Sequence, residues 1–84
     1  MDNRVLATRL THRAHHLEKE HASLFRIRAY RRAAETILGL DCPVAQLIER
    51  GGRAKLADLP GIGRSLSRTI ENILLGIEST ANLP

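Results

Sequence analysis

Apolar residues recur along this chain at helical spacing, and over no useful length do they alternate with period two. From Asp2 or Asn3, either of which can cap a helix start, Leu6, Leu10, Ala14 and Leu17 repeat every three or four positions to about Glu20. The stripe predicts a helix with one face on a core. A second helix is expected from Leu24 to Leu38 behind Ser23 as cap. Ile27, Tyr30, Ala34, Ile37 and Leu38 share its apolar face, Arg28, Arg31, Arg32 and Glu35 turn to solvent, and Gly39 stops it. "DCPVAQLIERGG" opens with Asp41 or Cys42 before Pro43, a good first-turn residue, and ends at Gly51 and Gly52, giving a short helix of about two turns. "RAKLAD" reads as a further short helix. After "LPGIG", a last helix carries Leu66, Ile70, Ile73, Leu74 and Ile77 on one side and ends near Gly76. The tail, residues 78–84, is expected to fray or serve as a linker. The fold class is therefore all-α, a compact bundle of four to five short helices.

Composition narrows the core and the partner. Residues 1–84 suffice for one domain, and 43% hydrophobic content with one Tyr, one Phe and no Trp leaves Leu, Ile and Ala to build its interior. Lys and Arg number 13 against 9 acids, a net charge of +4, and 11 of the 13 are Arg, whose planar fork matches phosphate oxygens. The surplus lies in residues 1–40, with eight Lys or Arg against four acids. Within it, "FRIRAYRR" concentrates Arg26, Arg28, Arg31 and Arg32, and Arg28 with Arg31 and Arg32 forms one basic ridge. Its bland reading is a solvated helix face partly neutralised by Glu35. No apolar run approaches a membrane span or a signal-peptide core, and the lone Cys42 gives no disulfide, so a cytoplasmic, nucleoid-associated address without membrane is expected.

"LPGIGRSLSR" carries the sharpest chemistry. Gly61 and Gly63 can take φ values closed to other residues, and neither has a side chain to hold a phosphate away. The turn can then present the backbone N–H groups of Gly61, Gly63 and Arg64 as an anion nest at the start of a helix. Arg64 and Arg68, four apart, would reach adjacent phosphates of one strand, while Leu59 and Ile62 plug the turn against Leu66 and Ile70. A simple helix joint is the competing reading of such a turn.

"LADLPGIGRSLSRTIENIL" resembles a helix-hairpin-helix motif, here at residues 53–76. Together with "FRIRAYRRAAETI" it resembles the small amino-terminal domain of family X DNA polymerases, over roughly residues 5–77. That resemblance implies a compact helical unit that binds phosphate on the downstream side of a DNA gap, as a standalone module or beside further domains of a parent polymerase. It implies phosphate contact by Gly61, Gly63 and Arg64, with Tyr30 and Arg26 on the neighbouring surface, and Ser65, Arg68, Arg28, Arg31 and Lys55 are added as further candidate nucleic-acid-binding residues. It also implies a monovalent cation, K+ or Na+, on the backbone carbonyls of Ala57, Leu59 and Ile62, and no other cofactor. The chain departs from the repair polymerases where their Schiff-base lysine would stand: Thr69 takes that place, Ser65 replaces a supporting lysine, and the chain's lysines are Lys19 and Lys55. Deoxyribose-phosphate lyase activity is disfavoured accordingly.

His12, His15 and His16 raise a rival chemistry, with His21 after the helix end and Cys42 or Glu18 as a third ligand for zinc. His15 and His16 diverge by about 100° on a helix, and no short ligand pair stands elsewhere, so a solvated face explains them more simply. Cys42 beside Pro43 reads as a cap or a small buried group rather than a nucleophile. The expectation is a non-enzymatic domain binding DNA through backbone phosphates without sequence specificity, at gaps, ends or single-strand junctions, in repair or replication. The alternative is a protein-interaction module whose arginines meet an acidic partner.

Overall fold

Asp2 starts the first helix as the pattern requires: its carboxylate accepts the Val5 amide at 3.0 Å, and that bond holds its pKa below the usual carboxylate value. The computed structural model describes residues 2–76 as α1 (Asn3–Lys19), α2 (Leu24–Leu38), α3 (Val44–Ala57) and α4 (Gly63–Leu75), with no strand among them. Ser23 caps α2 by accepting the Arg26 amide at 3.3 Å. Ile77 and the tail at 78–84 lie outside the described residues.

Helix α1 packs along α2, α3 packs on α4, and α1 also touches α4. Leu6, Leu10 and Ala14 of α1 meet Ile27, Tyr30, Ala34 and Ile37 of α2 and Leu66, Ile70 and Ile73 of α4 in one core, with Leu17 and Leu74 half-buried at its edge. Leu38, expected on the α2 apolar face, is instead 56% exposed. Ile37 fills the core at that last turn, and its neighbour points about 100° away around the helix.

Gly52 divides α3. Its φ of 70° and ψ of −171° break the helical backbone, so the element is about two turns of helix before the glycine and about a turn and a half after it, the two short helices expected from "VAQLIERGG" and "RAKLAD". Pro43 is the N-cap and offers no side-chain oxygen, so neither Asp41 nor Cys42 caps this helix. Asn3 does so from the far end of the chain. Its Oδ1 accepts the Val44 amide at 3.1 Å, and its Nδ2 donates to the Cys42 carbonyl at 2.9 Å.

Between α3 and α4 the chain turns on Leu59–Pro60–Gly61–Ile62. The Ile62 amide donates to the Leu59 carbonyl at 3.1 Å, proline stands second, and glycine stands third with φ 79°, the pattern of a type II turn. Ile62 is buried and Leu59 half-buried against the core that holds Leu66 and Ile70, which fixes the hairpin to both of its helices.

Candidate nucleic-acid interface

Gly63 opens α4 with φ 66°, so two glycines in three residues occupy the left-handed region. The geometry follows from what glycine permits: a backbone that reverses twice and turns successive amides outward. Among the described residues the amides of Gly61, Gly63 and Arg64 meet no backbone acceptor, and Gly61, Gly63, Arg64 and Ser65 are all exposed. A Cβ built on Gly63 would have no atom within 4 Å, so the face of the turn at that residue is open. These unpaired donors stand at the positive end of the α4 dipole, an arrangement suited to an anion.

A groove of about 500 Å3 joins this turn to the first half of α2, lined by Phe25, Arg26, Ala29 and Tyr30 on one side and Gly61 to Leu66 on the other. Six of the residues expected to bind nucleic acid thus meet in one place: Arg26, Tyr30, Gly61, Gly63, Arg64 and Ser65. Tyr30 is only 9% exposed, so it forms the wall of the groove from within the core. Arg68 is exposed one turn further along α4, outside the groove lining. Arg28 and Arg31 lie on α2 away from it, and Arg31 is paired with Glu18 of α1. Lys55, on the second half of α3, is also outside the lining, and its stem covers Gly51.

Two contributors were not anticipated. Thr36 donates its hydroxyl to the Pro60 carbonyl at 2.8 Å, docking α2 on the turn. Phe25, 82% exposed, forms part of the groove rim. Its signal in the sequence is a large apolar residue in the first turn of α2, off the stripe of Ile27, Tyr30, Ala34 and Ile37.

Of the three carbonyls expected to hold a cation, that of Leu59 already accepts the Ile62 amide and keeps one lone pair, while those of Ala57 and Ile62 have no backbone donor among the described residues. Three such oxygens suit a hard cation. The histidines do not assemble: His16 lies 3.4 Å from Glu20, Glu18 is taken by Arg31, and His12 and His15 line a separate groove with Arg4, Thr8 and Leu38. No group of three or more His, Cys, Asp or Glu that could hold a metal is found among the described residues. Thr69 and Ser65 carry no amine, and the Thr69 hydroxyl bonds the Ser65 carbonyl at 3.2 Å.

A family model described as a helix-hairpin-helix domain matches residues 1–76. The chain belongs to the helix-hairpin-helix domain family. No curated protein and no solved structure matches it. The match takes in all four helices as well as the hairpin, and it accords with the resemblance to the amino-terminal domain of family X polymerases.

Proposed function

We propose that the domain binds DNA through backbone phosphates, without sequence specificity and without catalysis, at gaps, ends or single-strand junctions. The observation that carries this reading is the groove whose lining brings Gly61, Gly63 and Arg64, with their unpaired amides, together with Arg26. Phosphate in that space would meet backbone donors, a helix N-terminus and a guanidinium together. The exposed Phe25 ring at the rim supports a junction over intact duplex, because an unpaired base offers a π-face for it to stack on and a paired one does not. Contact through backbone amides and guanidinium groups reads phosphate rather than base edges, which fits weak sequence preference. A K+ or Na+ ion on the carbonyls of Ala57, Leu59 and Ile62 would add positive charge behind the same turn.

Binding through so small a surface engages about two to four phosphates, so log affinity should fall with log salt at a slope of roughly −2 to −4. Fluorescence anisotropy on a gapped duplex across a salt series measures this. A salt-independent signal, or no binding at low salt, would transfer the arginine surface to an acidic protein partner.

A further inference from the structure

The space beside Gly61 is filled by a residue from another helix. A Cβ built on Gly61 would stand 2.9 Å from Cγ, Cδ and Nε of Arg32, so the Arg32 arm lies across the turn where any side chain at position 61 would have to go. At Gly63 the corresponding space is open. Thr36, four residues on from Arg32 and therefore on the same face of α2, holds the Pro60 carbonyl at 2.8 Å. Helix α2 thus meets the turn twice, once with a hydrogen bond and once with a cationic arm.

Arg32, unlike the adjacent Arg31, has no acidic partner among the described residues. Arg31 is paired with Glu18, and Arg53 lies 3.4 Å from Glu71, whereas Arg32 makes no ion pair or hydrogen bond among the described residues and is exposed. Covering a glycine needs only an apolar stem. Arg32 is outside the groove lining, but its arm reaches Gly61 with no carboxylate to neutralise it, and so brings positive charge to a turn whose amides at Gly61, Gly63 and Arg64 are unpaired.

We infer that Arg32 is a phosphate ligand of the hairpin. Its guanidinium supplies the charged part of a subsite whose other part is the amides of Gly61, Gly63 and Arg64, and the ligand is a phosphodiester of the DNA backbone. This rests on the phosphate-binding reading of the turn. The two glycines then have different tasks: Gly61 leaves room for the arginine, and Gly63 leaves room for the phosphate.

The test uses the whole chain and a gapped duplex, with anisotropy across a salt series and circular dichroism to select folded variants. Arg32→Gln and Arg32→Met both remove the charge, and Met retains an apolar stem over the turn. Each should bind roughly tenfold more weakly at low salt and lower the magnitude of the salt slope by about one. Arg32→Lys should restore the slope. Gly61→Ala, which drives the arm off the turn, should cost less on the Arg32→Gln background than in the wild type. If a folded neutral variant keeps wild-type affinity and slope while Gly63→Ala weakens binding, the Arg32 arm is packing alone and the inference fails while the hairpin reading stands. If the wild type shows no salt-dependent binding, both fall.

Discussion

His21 shows how much a single backbone angle can cost in a chain this short. It holds φ at 58°, in the left-handed region, immediately after α1. Its amide donates to the Glu18 carbonyl at 3.1 Å and the Ala22 amide to the Leu17 carbonyl at 2.9 Å, the paired bonds of a Schellman stop. Glycine is the usual residue there, and a histidine costs about 1–2 kcal/mol. His21→Gly should therefore raise stability by about 0.5–1 kcal/mol, roughly 3–6 °C in Tm, after the greater unfolded-state entropy of glycine is allowed for. Thermal melting by circular dichroism checks this, and a lower Tm would mean that the imidazole makes a stabilising contact. Thr69 and Ser65 govern chemistry rather than stability. With hydroxyls where a Schiff base needs an amine, no covalent adduct should form with an abasic-site duplex under borohydride. An adduct mapped to Lys19 or Lys55 would restore an enzymatic reading.

Asn3 illustrates what happens between elements. Its side chain bonds the Val44 amide and the Cys42 carbonyl, so the start of α1 caps the start of α3. Asn3→Ala leaves Asp2 capping α1 but strips both bonds, which should cost about 1–2 kcal/mol and lower Tm by roughly 5–10 °C. An unchanged melting curve would mean that water replaces Asn3 at no cost. The helices themselves were legible in sequence, because Leu6, Leu10 and Ala14, or Leu66, Ile70 and Ile73, can be buried together only at helical spacing. The glycine turn was legible too, since Pro60 and Gly61 demand that geometry. Contacts between side chains and distant backbone were not. A hydrophobic pattern reports which face of a helix is buried, but not that Asn3 reaches Val44, that Thr36 reaches Pro60, or that Arg31 turns to Glu18. For the same reason Arg28, Arg31 and Arg32 read as one ridge, whereas Arg31 is paired across α1 and α2 and Arg32 lies over Gly61.

The described residues span 36 × 25 × 21 Å, the longest dimension about one turn of duplex. Its positive charge is carried mainly by α1 and α2, while the hairpin that joins α3 to α4 brings amides rather than net charge. The proposed site is where the two meet, with Arg26 and Phe25 from one helix pair and Gly61 to Ser65 from the other. A second groove, lined by Arg4, His12, His15 and Leu38, is a separate feature of α1 and the end of α2, so the two surfaces can be told apart in solution. The central claim is that the turn, and not a basic helix face, grips DNA. The most direct measurement is a titration of nitrogen-15-labelled protein with a gapped duplex, followed amide by amide. The largest shifts should fall on Gly61, Gly63, Arg64 and Ser65, with smaller ones at Arg26. Shifts confined to Arg28 and Arg31, or to the Arg4 and His15 groove, with the hairpin amides unmoved, would contradict the account and leave the glycine turn a joint between helices.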